Sequence, residues 1–273
     1  MSRINKTIRF LRRSDVLISG VVGGMLFGLF AGALVHYRLQ PLPEVTELRP
    51  IVVFPDFTSI QDVSVKKQMF FDFLELYIDE ENLKVKASRQ QLLVLSDIAT
   101  NGVSLSPGER NELLSLAISY HLEFEGMQEN QIVFELLKRV DAIPVSLALA
   151  QAANESAWGT SRFALEANNI FGQWCYKEGC GLVPNRRAHN ASHEVRSFAS
   201  IEDSVKAYFM NLNTHNRYEG FRDMRYQMRN QRGELDPLVL AYALGGYSER
   251  GEKYVDEVQT IIQQNDLINK YKI

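Results

Sequence analysis

Apolar side chains recur at helical spacing through most of this chain, and one predicted helix is apolar on nearly every face. It begins at Pro144, which suits a first helical position because its missing N–H has no intrahelical partner there. Val145, Leu147, Ala148, Leu149, Ala150, Ala152 and Ala153 follow. Such a rod has to be buried nearly all round. Gln151, Glu155 and Trp158 form a narrow polar and aromatic stripe, which a 3.6-residue repeat puts on one face. The stretch runs on to Gly172 and organises the rest.

Upstream, Met69, Phe70, Phe73, Leu74, Tyr77 and Ile78 mark a helix over Val63–Asn82. Arg89–Thr100 and Pro107–His121 continue in that style, the latter opened by Ser106 as N-cap with Pro107 in the first turn. Gln131–Val140 is a short amphipathic helix leading to Pro144. Residues 58–128 form a helical subdomain, and 129–273 the domain built around the apolar helix. After Gly172 comes a turn-rich segment, Gln173–Pro184, then an alternating strand, His193–Phe198. Helices fit Ser200–Asn213, Tyr218–Arg229, Leu235–Leu244 and Gly251–Gln264, with Gly245 and Gly246 breaking the chain before Tyr247. The pattern predicts an α+β fold, mainly helical, with a small β-hairpin lobe.

The amino terminus has another character. Residues 1–15 are basic, with Arg3, Lys6, Arg9, Arg12 and Arg13, and Val16–Val35 is uncharged. About twenty such residues span a hydrocarbon core. The positive flank holds this end in the cytoplasm and sends the bulk across. Gly20, Gly24, Gly28 and Gly32 line one face, suited to close helix packing. Residues 16–37 are therefore a signal anchor, or a signal peptide cut near Ala31–Ala33; the length favours the anchor. Residues 38–57 carry four prolines and form an extended spacer. The expected location is the periplasm, tethered to the inner membrane. A net charge of -3 with both signs interspersed argues against a nucleic-acid partner but not against a glycan.

Candidate chemistry centres on Glu155. Burial disfavours its ionised form and raises its pKa, which is what a general acid requires. The bland alternative is a buried Glu paired with a cation such as Arg162. Glu194, on the predicted strand, is a second carboxylate, functional if it faces Glu155 across a groove and otherwise a solvated strand residue. Tyr218, Tyr247 and Trp174 suit a sugar groove or a core equally. The two cysteines, Cys175 and Cys180, lie in an exported segment, where a disulfide is the simple reading. The rival is zinc held with His189 and His193, although no zinc-finger helix is evident. No other metal and no cofactor is called for.

Ala153-Asn154-Glu155-Ser156-Ala157-Trp158-Gly159-Thr160-Ser161 and Asn168-Asn169-Ile170-Phe171-Gly172 resemble the motif of the bacterial glucosaminidase-domain family, in its proteobacterial Bax-type branch. The likeness extends from about Val63 onward. It implies a lysozyme-like fold and an endo-β-N-acetylglucosaminidase that hydrolyses the β-1,4 bond after N-acetylglucosamine in peptidoglycan strands. By the same resemblance Glu155 is the catalytic acid, Glu194 the strand-borne second acid, and Tyr247 the tyrosine of a late Gly-Tyr motif. The continuation Ser248-Glu249-Arg250-Gly251 departs from that motif's usual Ala-Thr-Asp-Pro. Gln151, Ser156, Trp158, Asn169, Phe171, Trp174 and Tyr218 are the expected substrate-binding residues. A lytic transglycosylase and an idle wall-binding protein are the alternatives.

Overall fold

One helix of 38 residues, α1 (Val63–Thr100), runs along the molecule and contributes to both of its hydrophobic cores. The computed structural model describes residues 54–100, 103–185, 187 and 191–271. The basic amino terminus, the apolar segment, nearly all of the proline-rich spacer and His189 lie outside the described residues. Among the described residues no helix is long and apolar enough to cross a membrane.

The sequence pattern suggested two helices where α1 is continuous. The intervening Leu83–Ser88 contains neither Gly nor Pro, so nothing stops propagation. Lys84 stitches it by pairing with Glu80 at 2.9 Å and Glu81 at 3.8 Å. Val85 packs into the core, and Asn82 beside it is also buried. The Asn82 amide donates to Ile143 O (2.9 Å) and accepts from Ile143 N (3.0 Å), fixing the chain one residue before Pro144.

The far half of α1 packs with α2 (Pro107–Ser119) and α3 (Glu129–Arg139) around Leu92, Leu95, Leu113, Ile132 and Leu136. Ser106 and Glu109 close a capping box on α2. At the end of α3 the fully buried Arg225 guanidinium donates to the carbonyls of Lys138, Arg139, Asp141 and Ala142. Arg229 holds the Asp141 carboxylate at 3.1 Å. A cation at a helix C-terminus meets the negative end of the dipole and the orphan carbonyls together.

From this braced corner starts α4 (Val145–Ser156), every residue of which from Val145 to Ala153 is buried. Pro144 is its N-cap rather than its first residue, the Pro144 carbonyl accepting from Leu147 N and Ala148 N. The helix ends at Ala157, where Ala157, Trp158 and Gly159 are consecutively left-handed. Trp158 thus falls outside the helix, and the expected shared face with Gln151 and Glu155 is not formed. Its ring instead sits against Phe71 (5.2 Å) and Phe70 (6.0 Å) of α1. A side chain at Gly159 would meet Phe57 at 2.6 Å, so glycine is required for this close approach.

After α5 (Arg162–Ala167), three short strands form one antiparallel sheet: β1 (Trp174–Cys175), β2 (Gly181–Leu182) and β3 (Glu194–Arg196). The order is β1-β3-β2, so β3 is central and the lobe is a three-stranded sheet rather than a lone hairpin. Cys175 pairs with Glu194, and Gly181 with Arg196. The helices α6 (Ile201–Thr214), α7 (Glu219–Arg232), α8 (Pro237–Tyr242), α9 (Glu252–Gln264) and α10 (Leu267–Lys270) complete an α+β fold, mainly helical. Packing of α9 on α4 brings Tyr254 onto Gln151.

Candidate active site

Glu155 occupies the last turn of α4, the one carboxylate on an apolar helix. Its Oε1 is buried and accepts no hydrogen bond among the described residues. Burial pushes the carboxyl up to about 7; the Arg250 charge and the Tyr254 hydroxyl pull the other way. Arg250 cannot neutralise it fully, because its guanidinium is paired with Glu257. Arg162, the cation that might have tied Glu155 structurally, donates to Val183 O instead. Glycine at position 172 makes room for the acid: its φ is +64°, and a Cβ there would stand 2.9 Å from Glu155 Oε2.

Beneath the acid runs a chain of buried polar groups. Tyr208 Oη donates to Gln151 Oε1 (2.7 Å), and Gln151 Nε2 donates to Tyr254 Oη (2.8 Å). The Tyr254 hydroxyl proton is then directed at Glu155. Gln151 is therefore an internal link with no free face for a sugar. Tyr254 and Tyr208 are the site residues that sequence reasoning missed. Both sit at helix positions whose periodicity reads as core, and a phenol on an otherwise apolar face was the sole available signal.

Tyr247 leans over this layer. Its ring is parallel to that of Tyr254 (5.6 Å, 4°) and 5.8 Å from that of Tyr218, and its hydroxyl donates to Phe171 O at 2.8 Å. Burial holds its phenol well above the ordinary value, with the Tyr254 and Glu155 charges adding to the effect. Tyr218 is pushed up to about 12, first by burial and in part by Glu155, so Tyr208, Tyr218, Tyr247 and Tyr254 share a site with one acid.

Several expected substrate-binding residues are turned inward. Ser156 Oγ donates to Ala152 O and accepts from Gly159 N, which shapes the left-handed turn. Asn169 is buried, its amide bridging Gln173 O and Arg196 O and its carbonyl taking Gln173 N. Phe171 is fully buried and stacked on Tyr208 (3.9 Å, 9°). These three shape the site from below and present no surface to a sugar, while the half-buried Trp158 packs on α1. Trp174, 47% exposed and stacked on His193, does present one.

Glu194 is held by the loop between β1 and β2. Its Oε1 accepts from Gly179 N (3.1 Å) and its Oε2 from Gly181 N (2.8 Å), bonds that keep its pKa below the ordinary range. Cys175 and Cys180 are joined in a disulfide across that loop, Cα atoms 6.3 Å apart. Joined sulfurs offer no thiolate, so the zinc alternative loses its two sulfur ligands. Glu155 and Glu194 thus differ sharply: one is desolvated and protonatable near neutrality, the other ionised and engaged.

Comparison with known proteins places this arrangement. Residues 130–267 match a family model, Glucosaminidase, described as mannosyl-glycoprotein endo-beta-N-acetylglucosaminidase. The chain is 33% identical to Protein bax of Escherichia coli K12 over 211 residues, 77% of this chain and 74% of that one. It is 23% identical to the Exo-glucosaminidase LytG of Bacillus subtilis 168 over 174 residues, 56% of this chain and 58% of that one. No solved structure matches. The motif around Glu155, the family match over the domain that carries it and the extended identity to Protein bax agree: this chain belongs to the glucosaminidase family.

Proposed function

We propose that the protein is a peptidoglycan hydrolase of the lysozyme-like type, an endo-β-N-acetylglucosaminidase in which Glu155 is the general acid. The observation that carries this is Glu155 itself, with a buried Oε1 unpartnered among the described residues and a carboxyl pushed up to about 7 within a tyrosine-lined site. Such an acid still carries its proton on a substantial fraction of molecules at neutral pH, where an ordinary carboxyl is ionised, and delivers it to a glycosidic oxygen as the oxocarbenium-like centre develops. In this reading Tyr247 orients the sugar and its acetamide, and the buried Tyr218 packs behind it. Trp174 would stack on a neighbouring ring. We further propose that residues 16–37 tether the domain on the periplasmic side of the inner membrane.

The role of Glu194 follows from its hydrogen bonds. Tied to Gly179 and Gly181, it acts as a water-activating base only after the disulfide loop shifts. While it stays tied, the substrate's own acetamide supplies the nucleophile and Glu155 does the acid–base work alone. That single-acid arrangement also favours a second reading, the lytic transglycosylase, which runs on one Glu.

Mass spectrometry of digested sacculi decides between them. Reducing N-acetylglucosamine ends support the hydrolase, and 1,6-anhydromuramyl ends overturn it in favour of the transglycosylase. Early release of long fragments marks endo cleavage; disaccharides alone mark attack from chain ends. Glu155→Gln abolishes digestion while the protein stays folded, and near-normal activity in that variant refutes the assignment. Retention on sacculi without release of any fragment by the wild-type protein would leave an idle wall binder.

A further inference from the structure

Beside the tyrosine-lined site lies an open cleft of ≈ 490 Å³ whose walls come from three parts of the chain. Gln173, Trp174 and Arg196 contribute from the sheet lobe, Asn211 and His215 from the end of α6, and His121 from the turn after α2. The cleft adjoins the candidate active site at two points. Gln173 follows Gly172, against which Glu155 Oε2 lies. Asn211 hydrogen-bonds the Tyr218 hydroxyl, and the Tyr218 ring is 5.8 Å from Tyr247.

Its charge has one sign. Among the described residues, none that lines it is acidic. Arg196 is exposed, its guanidinium rests 4.9 Å from the Phe198 ring centre, and among the described residues no ion pair engages it. A planar fork in that state suits bidentate capture of a carboxylate. His215 Nδ1 accepts from Arg217 N, which leaves the proton on Nε2 as a donor. Gln173 Oε1 is buried and lacks a donor among the described residues, so the same wall asks for an N–H. Free carboxylates together with amide N–H groups are the chemistry of an acidic peptide; a glycan without its peptides keeps a lactyl carboxylate on each muramyl sugar but lacks the peptide N–H groups and the further peptide carboxylates.

The cleft is also built in advance. Arg139 donates to Tyr120 O (3.3 Å) and Thr214 O (2.9 Å), tying the end of α2 to the end of α6. Asn169 holds the backbone of Gln173 and Arg196 together on the opposite wall.

We propose that this cleft binds the acidic stem peptide of peptidoglycan, with Arg196 on a peptide carboxylate, so that peptide-bearing strands are preferred over bare glycan. The proposal rests on the glycan-cleaving reading for its substrate class. Its test therefore separates the two. The full chain carrying Glu155→Gln, which binds without hydrolysis, is titrated with fluorescently labelled glycan oligomers, either peptide-bearing or stripped by an amidase with the freed lactyl carboxylates capped as methyl amides. Peptide-bearing oligomers are expected to bind roughly tenfold more tightly at low salt, the strength of a charge-assisted pair. Adding Arg196→Ala should erase that ratio, while Arg196→Lys keeps part of it and thermal unfolding stays within a few degrees. Equal affinity for both oligomers, or a ratio that survives Arg196→Ala, overturns the stem-peptide cleft alone. Binding of neither oligomer overturns it and the glycan reading together.

Discussion

Substituting Glu155 by Gln should stabilise the protein above neutral pH, and the structure sets the size of the effect. The carboxyl titrates at about 7 in the fold, against 4.5 for the free group, because burial disfavours the ionised form. Between those two pH values the folded state keeps a proton that the unfolded chain has released. Stability is therefore fully present below 4.5 and falls as pH rises toward 7. At about 1.4 kcal/mol per pH unit, the ionised acid weakens the wild-type fold by about 3 kcal/mol at pH 8. Glutamine has no charge to bury. Urea unfolding of both proteins, disulfide intact, from pH 4 to pH 8 gives the difference directly. The variant should match the wild type near pH 4 and exceed it by about 3 kcal/mol at pH 8. A difference that does not vary with pH would refute the desolvation argument, and with it the reason for calling Glu155 a poised acid.

Other consequences are equally direct. Since the acid must be protonated to act, kcat/KM on sacculi should fall about tenfold per pH unit above about 7; an alkaline limb near 4.5 would contradict it. Gly172→Ala places a Cβ 2.9 Å from Glu155 Oε2 at a left-handed φ, so activity should drop at least ~10-fold and stability by about 1–2 kcal/mol. Wild-type turnover in that variant would show that the carboxylate lies elsewhere. Tyr254→Phe removes a hydroxyl that lowers the acid's pKa and takes a bond from Gln151. The alkaline limb should move upward and stability fall by about 1–3 kcal/mol, read from pH–rate profiles and urea melts. Cys175→Ser with Cys180→Ser frees the loop that holds Glu194, worth about 2 kcal/mol for so short a closure. The Glu194 carboxyl should then titrate nearer its ordinary value, as NMR would report.

The difference between the patterned and the folded protein is instructive at Trp158 and Tyr254. A 3.6-residue repeat continued past Ser156 places Trp158 beside Glu155, but the repeat carries no information on where a helix stops. The stop here is a left-handed turn shaped by Ser156 Oγ and by the room at Gly159, into which Phe57 packs from outside the helix. Tyr254 shows the converse. Its spacing with Val255 and Val258 is that of a core residue, which it is, and its hydroxyl acquires meaning only when α9 lies on α4. Likewise, the apolar spacing divides α1 at Leu83–Ser88, whereas Asn82 and Lys84 find partners there on other elements.

The sequence by itself determined the buried helix, the single carboxylate set into it, the mainly helical α+β composition and the family motif. Periodicity and local residue type settle these, because they depend on neighbours a few positions apart. Only the tertiary structure decided how that carboxylate is surrounded. Oε1 has no partner among the described residues, Gly172 makes room for Oε2, the Tyr208–Gln151–Tyr254 chain lies beneath, and Glu194 is held by the disulfide loop. The desolvation and hydrogen bonds that fix a pKa come from residues far apart in the chain, and only packing brings them together.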